Sequence, residues 1–231
     1  PDGLRLASSP GCPVCVTCNR DIDTVIALAR IPNVTITTFG DMTRVPGSTS
    51  SLLAEQAAGR SVEIVYSPLD ALAFAKAHPE REVVFVGVGF ETTTPSACLA
   101  LKRAEAQDIA NFSLLTANKT MPAAYEAMAS HTDAYLYPGH VCAITGTSLP
   151  ESLTKQGISG AVAGFTASEL LTALAVILEK SRSGEPFFVH AYPPLVRPAG
   201  HPAARALLPP YMDPFGAPRR GLAPLKASGL K

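Results

Sequence analysis

The sequence has no surplus of either charge: 19 Lys and Arg balance 19 Asp and Glu across 231 residues. Phosphate backbones are held by clustered excess cation, so this balance argues against nucleic acid as the main partner. Charge is sparse altogether, at 16% against 47% hydrophobic residues, so a sizeable core can be buried. Long apolar runs are also lacking. None approaches a membrane span, and the short stretch 173–178 sits inside an amphipathic pattern. No charged-then-apolar leader opens the chain, whose first residue is Pro1 rather than Met. Five cysteines, an odd count with Cys12, Cys15 and Cys18 falling within seven residues, do not read as a secreted disulfide framework. They read instead as reactive or metal-binding thiols in a reducing compartment, which points to the cytoplasm. Cys98, in an apolar helical stretch, reads as a small buried core residue.

What is present is strand, turn and helix in alternation. Candidate strands are 4–7, 34–39, 62–66, 82–88, 112–117, 134–137, 158–163 and 187–192. Several are continuous apolar runs rather than alternating ones, as expected of parallel strands covered on both faces. Helical spacing appears at 22–29, after Ser67-Pro68, after Pro95 to about residue 106, and from Thr166 through Glu179. Ser67 is a candidate cap, Pro68 fits the first helical position, and Asp70 can reach back to free amides. Thr166-Ala167-Ser168-Glu169 is a capping box. This alternation predicts an α/β fold, with two halves but no internal sequence repeat. After Gly184, prolines crowd the chain and exclude a long helix or a central strand. That tail reads as an irregular arm or the start of a further small domain.

Three segments carry candidate chemistry. In Cys12-Pro13-Val14-Cys15 two thiols separated by two residues can close a disulfide or hold one metal ion. The motif supports a redox dithiol, half a zinc site or an iron-binding pair. Gly87 to Pro95 runs from a strand through Glu91, Thr92 and Thr93 into a helix. Its amides and hydroxyls can cradle an anion, or they can simply form a tight turn with a hydroxyl cap. In Pro138-Gly139-His140-Val141-Cys142, His140 and Cys142 can ligate a metal or move protons, or His140 can merely satisfy a hydrogen bond. Each segment is predicted to follow the carboxyl end of a strand, where open α/β sheets place their sites. The segment 41–48 does so too, and its Arg44 is suited either to a ligand or to a salt bridge holding the loop. The other histidines, His78, His131, His190 and His201, read as ordinary.

Taken together, 10–17 (PGCPVCVT), 41–48 (DMTRVPGS), 66–72 (YSPLDAL), 89–95 (GFETTTP), 138–141 (PGHV) and 162–165 (VAGF) occur in this order and resemble the HypD family of hydrogenase maturation factors. The stretch 220–231 is similar to the one preceding that family's iron–sulfur domain. The resemblance implies two Rossmann-like α/β domains with helices on both sheet faces. Residues 1–78 would carry the CPVC motif, 79–183 the GFETTTP and PGHV motifs, and 184–231 a Pro-rich arm belonging to a partial third domain. It implies a scaffold on which the Fe(CN)2CO centre of nickel–iron hydrogenase is assembled, working with a HypC-like chaperone and a HypE-like cyanide donor. Cys12 and Cys15 would bind iron and cycle between thiol and disulfide. Glu91 and His140 would line the cleft near the thiols as catalytic groups, with Thr92, Thr93 and Gly139 contacting the iron-bound ligands. The family's upstream Cys-Gly-Thr-His-Thr motif would lie before Pro1, and the four [4Fe-4S] cysteines after Lys231. Relatives usually carry Ser where Cys142 stands. The alternatives are a metal-free dithiol oxidoreductase and a non-catalytic α/β binding module.

Overall fold

The structure is a computed structural model that describes residues 4–8 and 11–231. It contains two parallel sheets flanked by helices and one antiparallel hairpin. The first sheet has the order β2-β1-β3-β4, built from β1 (Val34–Thr38), β2 (Val62–Ile64), β3 (Glu82–Gly87) and β4 (Phe112–Thr116). The second has the order β5-β6-β7, from β5 (Ala134–Pro138), β6 (Ser159–Ala163) and β7 (Phe188–His190). The hairpin pairs β8 (Pro214–Arg219) with β9 (Leu222–Leu230). The α/β fold is therefore as the alternation of the sequence predicts. The segment 4–7 is not a strand, and so the thiol motif does not follow one. Four alternating residues, Leu4-Arg5-Leu6-Ala7, are too few to hold an edge without a paired neighbour.

The helices are placed by their apolar spacing and caps. In α1 (Asn19–Ala29), Ile22, Val25, Ile26 and Ala29 recur at helical intervals and are all buried. They pack with Ile36 of β1, Val62 of β2 and Val86 of β3 into one cluster. Arg30 caps the end of this helix with its backbone N–H, while its guanidinium makes a two-pronged hold on Glu55 of α2 (Leu52–Ala57), at 3.0 and 2.6 Å. In α3 (Pro68–Ala77) the Ser67 hydroxyl accepts the Leu69 N–H at 3.0 Å, and Asp70 reaches back to the Tyr66 N–H at 3.2 Å. Both are roles the sequence assigned. Next come α4 (Thr94–Ala106), α5 (Pro122–Met128), α6 (Gly139–Thr145), α7 (Ser148–Lys155), α8 (Ala167–Ser181) and α9 (Pro202–Arg205). The capping box at the start of α8 is fully formed: Thr166 Oγ1 accepts from the Glu169 N–H, and Glu169 accepts from the Thr166 N–H.

The chain divides into two compact units, and the division differs from the expected 1–78, 79–183 and 184–231. One unit comprises 1–89, 99–119 and 214–231; the other comprises 90–98 and 120–213. The reason is hydrogen bonding. β3 pairs with β1 over Val34–Thr37, and β4 pairs with β3, so both strands belong to the first sheet although they lie beyond residue 78. The Pro-rich tail is also shared out. β7 extends the second sheet beside β6, whereas the hairpin belongs to the first unit. There β9 ends against the edge of that sheet: the Leu230 N–H donates to the Asn118 carbonyl at 3.2 Å, and Thr116 Oγ1 donates to the Leu230 carbonyl at 3.0 Å. Pro214, Pro218 and Pro224 all fall in this two-stranded ribbon, where a missing N–H can face outward.

Candidate functional site

Cys12 and Cys15 are joined as a disulfide across an exposed turn, with their Cα atoms 5.3 Å apart. That spacing lies within the usual range for such bonds. Local bonds fold the turn. The Val16 N–H donates to the Cys12 carbonyl at 3.2 Å, the Thr17 N–H to Val14 at 3.2 Å, and the Thr17 hydroxyl to Pro13 at 2.9 Å. Val16 and Thr17 are buried, so the turn is pinned at its downstream end while the sulfurs remain accessible. Cys18 is the N-cap of α1, but its side chain makes no cap bond, and its thiol is free and half-buried.

A cavity of about 170 Å³ lies directly beyond this turn in the same unit, lined by residues that include Thr17, Arg20, Asp21, Met42, Val86 and Leu115. It faces the start of α1 and the carboxyl ends of β3 and β4, where open α/β sheets place their sites. Near it, Lys119 is almost wholly buried and pairs with Asp21 at 3.4 Å. The loop after β1 is fixed to α1 through Asp23, whose carboxylate accepts the Ser48 N–H at 2.7 Å and the Ser48 hydroxyl at 2.6 Å. These bonds, the Ser48 hydroxyl first, hold the Asp23 pKa below its usual value. Arg44 is exposed on this loop and makes no salt bridge among the described residues, so the loop-tying role open to it is filled by Asp23.

Glu91, Thr92, Thr93, Gly139 and His140 belong to the other unit. Glu91 is buried and accepts the Met121 N–H at 2.8 Å. Thr93 donates its hydroxyl to the Phe90 carbonyl at 3.3 Å, whereas the half-buried Thr92 makes no hydrogen bond among the described residues. The turn is thus a capped turn with one hydroxyl still available. A Cβ on Gly139 would stand 2.6 Å from the Ala163 carbonyl oxygen and 2.6 Å from Tyr192 Cδ1, so close packing alone requires glycine there. His140 lies at the start of α6 with its ring 4.9 Å from that of Phe165. Desolvation lowers its pKa from 6.5, which favours the neutral imidazole, the form that ligates metals and accepts protons.

Cys142 lies one turn further along α6 and is buried. Burial first, and then the Glu91 charge, push its thiol up to about 12. Glu91 and Cys142 also act on Tyr125, whose ring packs pairwise with those of Tyr135 and Tyr137 at 5.2 to 5.8 Å. The sequence offered no periodic signal for this tyrosine cluster, because Tyr125 comes from α5 and the other two from β5. Cys98 is buried, and burial raises its thiol to about 11, in line with a core role. The remaining histidines do local work. His190 Nε2 lies 3.1 Å from the Val196 carbonyl, and His201 Nδ1 accepts the Ala204 N–H at 3.1 Å.

Among the described residues no three His, Cys, Asp or Glu side chains converge on one point. Once reduced, the Cys12–Cys15 pair offers two thiolate ligands to an incoming metal ion. No described helix is long and apolar enough to cross a membrane.

The chain is 37% identical over 235 residues to the hydrogenase maturation factor HypD of Rhodobacter capsulatus, covering 99% of this chain and 62% of that protein. It is 37% identical over 234 residues to a putative hydrogenase expression/formation protein of Methanocaldococcus jannaschii, covering 100% of this chain and 65% of that one. Against the hydrogenase maturation factor HypD of Escherichia coli the identity is 36% over 236 residues, covering 100% and 63%. The chain thus spans less than two thirds of the length of these relatives. The family described as HypD, "Hydrogenase formation hypA family", matches residues 1–231, and the chain belongs to it.

Proposed function

We propose that this chain acts in hydrogenase maturation as the thiol-bearing part of a scaffold for the Fe(CN)2CO centre of a nickel–iron hydrogenase. The observation that carries the reading is the exposed Cys12–Cys15 disulfide in a chain of this family. Iron is the cargo of such a scaffold. Two electrons from a thiol reductant break the S–S bond and leave two thiolates able to hold iron, the reductant being oxidised to its disulfide. Thr92 offers a hydroxyl to an iron-bound cyanide, and the neutral His140 and the buried Glu91 are placed to handle protons in their own unit. A HypC-like chaperone and a HypE-like cyanide donor are the partners this role requires, in a reducing cytoplasm.

The test is anaerobic co-purification of the chain with a HypC-like partner, followed by infrared spectroscopy. Bands of iron-bound cyanide and carbon monoxide are expected in the wild type and are expected to be lost in Cys12→Ser. Retention of the bands in Cys12→Ser would remove the pair from the iron site. One observation favours a second reading, a metal-free dithiol oxidoreductase: the pair is closed as a disulfide on an exposed turn. A reversible disulfide with no iron retained on the complex would establish that reading instead.

A further inference from the structure

The tip of the C-terminal hairpin reaches back to the thiol turn. The Arg220 N–H donates to the Val16 carbonyl at 2.9 Å. Its guanidinium donates to Asn19 Oδ1 at 2.6 Å and to the Pro46 carbonyl at 3.3 Å. Val16 is the residue after Cys15, Asn19 opens α1, and Pro46 lies in the loop that Asp23 holds through Ser48. One residue therefore holds the exit of the thiol turn through its backbone N–H and the helix start and the loop after β1 through its side chain, across 201 residues of sequence between Arg220 and Asn19. The hairpin can bear this. Gly221, at φ 81°, closes a tight tip, and the neighbouring Arg219 is buried, with its guanidinium donating to the Ser228 carbonyl at 3.3 Å. Arg219 locks the hairpin internally, while Arg220 projects from it.

We infer that Arg220 is a positioning residue for the Cys12–Cys15 pair, and that the hairpin tip biases the pair toward the disulfide. The covalent bond already restricts the oxidised turn. Only the dithiol form can use extra freedom, so a clasp on Val16 and Asn19 removes conformers mainly from the reduced state. That raises the effective concentration of one sulfur at the other. Arg220 acts through its backbone bond to Val16 and its guanidinium bonds to Asn19 and Pro46, and substitution of its side chain tests the latter two. The inference deepens the redox role proposed for the pair and rests on it.

The experiment equilibrates the full chain with glutathione buffers, traps thiols by alkylation, and reads the Cys12/Cys15 peptide by mass spectrometry. In the exchange the S–S bond breaks, two glutathione thiols give up two electrons and become joined, and their protons pass to the cysteines. Arg220→Ala is expected to shift the equilibrium toward the dithiol by about three- to tenfold, where tenfold corresponds to about 30 mV. Arg220→Lys, with one donor group on a flexible stem, is expected to recover part of the shift. Asn19→Ala is expected to produce a similar shift alone and to add little in the Arg220→Ala background. Should Arg220→Ala fail to fold, Asn19→Ala at its exposed position still reads the same coupling. Wild-type constants in both variants overturn the inference while leaving the redox pair intact. An equal shift in Leu230→Ala, at the far end of the hairpin, overturns it in favour of general loosening. A wild-type pair that never cycles overturns both the inference and the redox reading.

Discussion

Glu91 accepts the Met121 N–H at 2.8 Å, so the turn that follows β3 is tied to the start of α5 across 30 residues. Both residues are buried. Glu91→Ala leaves a buried amide without its acceptor and is expected to cost about 1–3 kcal/mol. Glu91→Gln keeps an acceptor oxygen in nearly the same place and is expected to cost less. Urea unfolding of the two variants against wild type measures the difference. Equal losses would show that the negative charge, not the hydrogen bond, is what that position needs.

Glu55 sets a pH dependence at the junction of α1 and α2. The Arg30 guanidinium, and then the Ser50 hydroxyl, hold its pKa at about 2, against the usual 4.5. The folded state therefore takes up this proton only at lower pH than the unfolded chain does. The stabilisation is complete above about pH 4.5 and is lost as pH falls toward about 2. Thermal midpoints of wild type and Glu55→Gln, followed from neutral to acid, are expected to differ by a constant amount above pH 4.5 and to converge below it. Parallel curves through that window would place the acid sensitivity elsewhere.

The thiols fall into three reactivity classes. Cys98 and Cys142 are buried, with pKa values raised to about 11 and about 12, so both are protonated and shielded at pH 8. Cys18 is free and half-buried, and Cys12 and Cys15 are closed as a disulfide. Iodoacetamide on the native chain is expected to label Cys18 alone, and after mild reduction Cys12 and Cys15 as well. Peptide mapping checks it. Rapid labelling of Cys142 before unfolding would contradict its burial.

The Lys119–Asp21 pair is asymmetric. Lys119 is 2% exposed and Asp21 23% exposed. Asp21→Ala leaves an ammonium group buried without its counter-charge and is expected to cost about 3–5 kcal/mol. Lys119→Met keeps the packing of the stem, and the Asp21 left behind can reach water, so a smaller loss is expected. Guanidinium unfolding of the two single variants decides it. A larger loss for Lys119→Met would mean that Asp21, not Lys119, is the poorly solvated partner.

Where local physics suffices, the elements could be read from the sequence. Runs such as Val83-Val84-Phe85-Val86 read as covered strand and are one. The spacing of Ile22, Val25, Ile26 and Ala29 can only be one buried helix face, and Ser67-Pro68 and Thr166-to-Glu169 name their own helix starts. The Cys12–Cys15 pair and the ordered motifs also pointed to the family without any coordinates. What tertiary structure decided was partnership. β3 and β4 join the first sheet because their edges meet β1, which no local pattern encodes, so a boundary drawn at residue 78 divided a sheet. The pairs Arg30 with Glu55, Asp23 with Ser48 and Lys119 with Asp21 bridge segments far apart in sequence, and charged residues carry no periodic mark of the partner they will meet. Arg220 is the extreme case. In the sequence it is one basic residue in a Pro-rich tail, and only chain reversal at Gly221 and the docking of β9 beside β4 carry it to a thiol turn about 200 residues earlier in the chain.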